Sequence, residues 1–439
     1  MAAQRTVVTS LPSSAQSVPF GHDDLGVSEL PSAGYAQTEV LLSGVAAGEA
    51  YTTRALLRHP ADRACFSGVV LVEPMHWAGV RSVWRAIRRV LVAGGHAWAE
   101  IASQSTSPQR LKSFDPVRYA DVTLADVADD AGPAEASIGA DAAAGRTFES
   151  VRLESDAFQA RWHRSNVQSA EIIAHFADAL REGATPLTGV THVFLGGLSQ
   201  SGGVTRAFAT DHHRHVSREH PIFDGYLPMA SGGEALTDLD VPVVELLGES
   251  ELEELRARYL LPGQVRGFSH RRADSPRYRL YEVAGMGHTD SRDDPPPRSQ
   301  TALPSGRRWS RFPNAHAVHF AWNALLRWVR DGTEPPHGCV IDTDQCGRIL
   351  RDEHGHALGG LRSPYLDVPV VQVSAIAGAG AEWSCGSELV FDEARLLSLY
   401  GSESAYRSRV GACLDELVAE GYYLTDDAVD YLSRATWTK

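Results

Sequence analysis

Six short runs of β-branched and aliphatic residues recur between positions 68 and 285. They are GVVLVEP (68–74), HAWAEIAS (96–103), THVFLGG (191–197), IFDGYLPMA (222–230), VPVVELLG (241–248) and RYRLYEVAG (277–285). Each is brief and nearly continuous in its apolar character, as a strand buried on both faces must be. Helix-length segments lie among and after them. SVWRAIRRVLVAGG (82–95), AEIIAHFADALREG (170–183) and HAVHFAWNALLRWVRDG (316–332) are apolar at helical spacing and close on glycine, a frequent helix stop. Strands alternating with helices predict an α/β fold, with a mostly parallel central sheet and helices on both faces.

Two stretches break this rhythm. The Ala/Asp/Gly-rich residues 124–148 and the Pro/Arg/Ser-rich residues 290–313 read as lid or loop insertions, since long irregular loops in a compact domain often serve that way. We read the chain as one domain over 1–439, with residues 340–439 as a C-terminal extension packed on the core. There is no internal repeat.

Within this frame the segment VTHVFLGGLSQSGGVTRAF (190–208) stands out, because a strand runs into a helix through Gly, Ser and Gly. A serine on so tight a turn needs small residues two positions away on each side. Gly197-Leu198-Ser199-Gln200-Ser201 meets that need around Ser199. Such an elbow lifts the hydroxyl above the carboxyl end of a sheet and points the next helix N-terminus at it. The backbone N–H of Gln200 then suits an oxyanion. A frame centred on Ser201 also fits the spacing; we prefer Ser199 because the strand ends two residues before it.

A nucleophilic serine requires a base and an orienting acid. Of the 18 histidines, His288 follows a strand directly, in AGMGHTD, and comes after the serine in the chain. His212, His213 and His215 read as a solvated polar cluster. His316 and His319, at i and i+3 on a helix, read as facing a neighbour or solvent rather than a metal. The acid should follow an intervening strand, and VPVVELLGESELEEL supplies Glu251, third after Gly248. Glu249 is the runner-up and Asp224 a distant third, while Glu253 and Glu254 read as the start of a solvated helix. The order serine, acid, histidine at three strand ends is far more specific than any one element.

The chain resembles the large α/β-hydrolase-domain-containing proteins of bacteria and fungi, a little-characterised group assigned as serine esterases. The resemblance runs from about residue 25 to 435. It rests on YTTRALLRHPAD with GVVLVEP, HAWAEIASQ with LKSFDPVRYADV, GLSQSGG, RLYEVAGMGHTD, PNAHAVHFAWNALLRWVRDGTEPP and GHALGGLRSPYLDVPVV. It implies the α/β-hydrolase fold, Ser199 and His288 at the family's nucleophile and base positions, and Glu251 at the place of the acid. The loop after GVVLVEP should supply a second oxyanion N–H. Here it reads MHWAGV rather than the family's Asn-containing turn, which points to Met75 or His76. Gln104 matches the family's glutamine and reads equally as a pocket residue or a loop brace. Trp77 is a further candidate for the substrate pocket. Trp309, Trp322 and Trp328 are aromatic too, but core packing better explains Trp322 and Trp328.

The resulting expectation is a serine esterase acting on a small-molecule carboxylic ester or lactone through an acyl-enzyme, with no metal or organic cofactor. Two alternatives remain open: an acyltransferase or cyclase of a biosynthetic pathway using the same triad, and a catalytically silent fold used for ligand binding. The 55 acidic and 41 basic residues, with no dense Lys/Arg cluster, argue against nucleic-acid or anionic-membrane partners. The N-terminus lacks the apolar core of a signal peptide. Cys65, Cys339, Cys346, Cys385 and Cys413 form no CxxC, so a disulfide framework or zinc site is disfavoured. A reducing cytoplasm is the expected setting. Oligomeric state is not legible.

Overall fold

The computed structural model describes the chain apart from residues 1–5, 23, 25, 81, 126–166, 217–219, 253–268, 291, 293–302, 304–305, 377–384 and 438–439. Most of the expected 124–148 insertion, part of 290–313, and Glu253 and Glu254 lie outside the described residues. The chain forms two compact units. One comprises residues 1–82, 91–196 and 204–224; the other comprises 83–90, 197–203 and 225–439.

The first unit carries β1 (Val7–Ser10), β2 (Tyr35–Ala46), β3 (Glu49–Pro60), β4 (Val69–Pro74), β5 (Ala97–Ile101) and, as far as Gly196, β6 (His192–Leu198), in the spatial order β1-β2-β3-β5-β4-β6. Strands β4, β5 and β6 run parallel, and β1 to β3 are antiparallel. The last three of the predicted strands, β7 (Gly225–Met229), β8 (Val243–Gly248) and β9 (Tyr278–Val283), lie in the second unit, side by side and parallel. Every residue of β4, β5, β7, β8 and β9 is buried, which is why these segments read as nearly continuous apolar runs. The expected mostly parallel α/β sheet is therefore present, and helices form at Ser82–Ala93, over residues 167–181, and at Asn314–Asp331.

Strands β2 and β3 form a twelve-residue hairpin paired from Tyr35–Pro60 to Ala46–Glu49. Its two-residue turn places Ala47 at φ 53° and Gly48 at φ 82°, the double positive φ of a type I′ turn that matches strand twist. Arg54 and Arg58 of β3 are wholly buried. Arg54 pairs with Glu39 at 2.6 Å and with Glu100, Arg118 also binds Glu39, and the Tyr119 hydroxyl donates to Glu39 at 2.9 Å. Arg58 pairs with Asp24 at 3.0 Å and lies over the Trp98 ring. These charges look like surface residues in the sequence; they hold a buried ion network instead.

In the second unit the outer edge of β9 is covered by chain from the C-terminal region. Glu282 N–H donates to Cys339, Leu361 N–H donates to Glu282, and Ala284 N–H donates to Leu361. An edge strand left bare would be a pairing hazard. The wholly buried Glu282 carboxylate fastens this seam, accepting from His270 at 2.8 Å, from Arg271 at 2.7 and 2.6 Å, and from Ile341 N–H at 2.7 Å. Beyond it lie a three-stranded sheet, β10 (Arg307–Trp309), β12 (Ser387–Val390) and β11 (Val371–Ser374), and the helices Glu393–Tyr400, Glu403–Ala419 and Thr425–Arg434. Helix Asn314–Asp331 packs against β7 and β8, with Trp322 and Trp328 buried in the core as expected. All five cysteines are free.

Burial pushes the Glu282 carboxyl up, and the donors His270 and Arg271 outweigh it, so its pKa lies below the ordinary 4.5. A depressed folded pKa contributes stability that is present above the unfolded value and is lost as pH falls through the folded one. Glu282→Gln should lower stability by about 3–5 kcal/mol at pH 7. It should also flatten the loss of stability below pH 4.5, read by denaturant titrations across pH. An unchanged acid limb would contradict this assignment.

Candidate active site

Strand β6 ends in Gly197-Leu198, and a helix begins at Gln200 (Gln200–Ala207). Ser199 is the single residue between them. Its φ is 61°, a left-handed conformation that costs a non-glycine residue about 1–2 kcal/mol. The turn is held from both sides: Ser199 N–H donates to Met229 C=O at 3.0 Å, and Gly203 N–H donates to Ser199 C=O at 2.9 Å. The neighbouring glycines are required by contact. A Cβ on Gly197 would lie 2.1 Å from the Ser201 carbonyl oxygen, and one on Gly202 would lie 2.5 Å from that of Met229. Ser201 is wholly buried. Its hydroxyl donates to Leu198 C=O and accepts from Leu198 N–H, both at 3.0 Å. That hydroxyl clips the turn together.

Strand β8 ends at Gly248 and the chain turns at once into helical backbone over 249–252. Glu251 is buried there. Its carboxylate accepts from Gly248 N–H at 2.5 Å, from the Ser250 hydroxyl at 2.8 Å and from His288 Nδ1 at 2.7 Å. Glu249 points elsewhere, accepting from Gly285 N–H at 2.7 Å and pairing with Arg351 at 2.8 Å. It ties the loop after β9. Asp224 lies in the first unit, where it accepts from Val193 N–H and pairs with Arg181, both at 2.7 Å.

His288 follows β9 on the loop Ala284–His288. Its Nε2 lies 2.7 Å from Ser199 Oγ. A carboxylate only accepts, so Glu251 requires the proton on Nδ1 and leaves Nε2 as an acceptor for the serine hydroxyl. The imidazole side chain is 13% exposed against 3% for Glu251, so the ring faces an opening while the acid does not. The loop is pinned in turn. The Asn314 side chain, at the start of its helix, donates to Gly287 C=O at 2.7 Å, and Thr289 bridges Cys385. Ser250 and Asn314 escaped the sequence reading; the serine between two glutamates was a signal for the first, and nothing local marked the second.

Other expected site residues are in the first unit. Met75 N–H donates to Ile101 C=O at 2.9 Å, so it is consumed by the sheet and the expectation of an oxyanion donor at Met75 is withdrawn. His76 is buried and accepts on Nδ1 from Ala78 N–H at 3.0 Å. Gln104 donates to Met75 C=O at 2.6 Å, which is the loop brace. Trp77 is 47% exposed and stacks on His76. The histidine cluster departs from expectation: His212 and His213 are buried, and only His215 is exposed. His316 and His319 are buried and face neighbours. His316 contacts Tyr423 and Asp430, and His319 binds Asp427 at 2.9 Å. Among the described residues no group of His, Cys, Asp and Glu is placed to hold a metal ion, and no helix is long and apolar enough to cross a membrane.

The alpha/beta hydrolase domain family model matches residues 7–433. The chain belongs to that family. At this coarse level it is a hydrolase-fold protein. No curated protein matches it in sequence. Solved structures resemble it remotely. An esterase from an Arctic intertidal metagenomic library is 14% identical over 56% of this chain and 84% of its own, with a TM-score of 0.29. A promiscuous CE15 esterase from a marine bacterial metagenome is 10% identical over 64% of this chain and 81% of its own, with a TM-score of 0.30. Esterase Est22 is 12% identical over 50% and 65%, with a TM-score of 0.29.

The elbow generates a direct expectation. Gly197→Ala should displace the Ser201 carbonyl and cost about 3 kcal/mol or more, as overpacking against backbone does, whereas Ser201→Ala should cost about 1 kcal/mol through lost hydrogen bonds. Thermal denaturation compares the two. Equal, small effects would refute the close approach at Gly197.

Proposed function

We propose that this protein is a serine hydrolase that cleaves a carboxylic ester or lactone of a small molecule through an acyl-enzyme. The observation that carries the reading is the imidazole of His288, bonded at 2.7 Å to Glu251 on one nitrogen and at 2.7 Å to Ser199 on the other.

Ser199 Oγ attacks the carbonyl carbon as its proton passes to His288 Nε2. Glu251 stays ionised, holds the tautomer and stabilises the imidazolium. The N–H of Gln200, first in the helix that follows the elbow, is the oxyanion donor on this unit, and such a donor is worth roughly 3 kcal/mol. His288 then protonates the leaving alcohol. Water then adds to the acyl carbonyl as His288 Nε2 takes its proton, and the bond from that carbon to Ser199 Oγ breaks as the proton passes from Nε2 to Oγ, releasing the acid and restoring the serine and the neutral imidazole. The ester's carbonyl dipole, rather than any charge on the substrate, is what this arrangement recognises.

Ser199→Ala should lower kcat for p-nitrophenyl butyrate by about 10⁴-fold or more, and Glu251→Gln by about 10³–10⁴-fold through the wrong tautomer. Ser201→Ala and Glu249→Gln should retain kcat within about tenfold, since neither side chain enters the proton path. Steady-state kinetics on purified variants decide it. Turnover that survives in Ser199→Ala and vanishes in Ser201→Ala would sink the assignment.

A further inference from the structure

The second unit holds a cavity of about 380 Å³ that no part of the proposed mechanism uses, and none of Ser199, Glu251 and His288 lines it. Its wall combines two chemistries seldom found together. Arg292, Arg308, Arg311 and Arg434 supply four guanidinium groups, while Val368, Val390 and Trp437 supply an apolar face. These residues come from four separate regions: the loop after His288, the β10 edge and the loop that follows it, the β11–β12 sheet with its approaches, and the last helix.

Among the described residues, two carboxylates pair with three of these arginines. Asp430 pairs with Arg292 at 2.9 Å and with Arg434 at 2.8 Å, and Glu388 pairs with Arg308 at 2.7 Å. Arg311 is exposed, and its guanidinium has no partner among the described residues; its backbone N–H alone is engaged, donating to Glu388 at 2.9 Å. Tyr431 gives a second, independent sign. It is only 8% exposed and lines the cavity, and its hydroxyl has no hydrogen-bond partner among the described residues. Burial also pushes the Tyr431 phenol well above its ordinary pKa, so it remains a neutral donor.

We propose that this cavity is a binding site for a small amphipathic carboxylate. Its anionic head is received by the Arg311 guanidinium and the Tyr431 hydroxyl, and its apolar body lies against Val390 and Trp437. A planar guanidinium fork fits a carboxylate in two hydrogen bonds. The size falls within the range that encloses a small molecule. The site stands apart from the catalytic reading and holds whether or not Ser199 is a nucleophile.

Isothermal titration of the full chain with decanoate tests it, with decanol and inorganic phosphate as parallel probes. Decanoate should bind with one site per chain. Arg311→Gln and Tyr431→Phe should each weaken it by about tenfold, the loss of one charge-assisted or one neutral hydrogen-bond partner. Val390→Glu, at a 37% exposed position that tolerates a polar residue, should abolish binding while circular dichroism stays native. Decanol bound as tightly as decanoate would overturn the anionic half of the proposal. Phosphate bound as tightly as decanoate would overturn the apolar half. Decanoate affinity unmoved by all three substitutions, or no binding at all, would overturn the site itself.

Discussion

The hydrogen bond between His288 and the buried Glu251 sets what every other group at the site can do. A carboxylate with two further donors, Gly248 N–H and the Ser250 hydroxyl, is fixed in place and has no freedom to swing. It dictates which imidazole nitrogen holds the proton. The other nitrogen must then accept, and Ser199 Oγ is the group within reach. Remove the carboxylate and the ring keeps neither its tautomer nor its orientation. The serine would remain on its turn with nothing to receive its proton.

That interaction is possible because the neighbouring parallel strands β8 and β9 end side by side. The end of β6 presents Ser199, the end of β8 presents Glu251, and the end of β9 presents His288. In open α/β sheets this is where sites gather. Holding them there costs local strain and burial. Ser199 keeps a left-handed backbone, and Glu251 and Glu249 are buried charges that survive only because each has partners. The two glutamates divide the work: one faces the imidazole, and the other fastens the loop that carries it.

The six strands of the parallel sheet were legible because their burial on both faces leaves an apolar signature. The turn at Ser199 was legible because close backbone approach demands small residues. The chain order of Ser199, Glu251 and His288 was legible because each follows a strand. The β2–β3 hairpin was not, since its buried residues include Arg54, Arg58 and Thr53. In a sequence, an arginine paired in the core with Glu39 or Glu100 looks the same as one in water. Met75 failed as an oxyanion donor for a related reason: its N–H is spent on Ile101, a pairing fixed by register and not by composition. Ser250, Asn314 and the arginine-lined cavity depend on contacts between segments far apart in the chain, which no local pattern reports.

The central claim is that one hydroxyl in this chain is made nucleophilic by its histidine. The most direct measurement is reaction of the native protein with diisopropyl fluorophosphate, followed by mass spectrometry of the proteolytic peptides. One stoichiometric adduct is expected, on Ser199, and none when His288 is replaced by alanine. An adduct on Ser201, labelling that persists without the imidazole, or no adduct on any serine would contradict it.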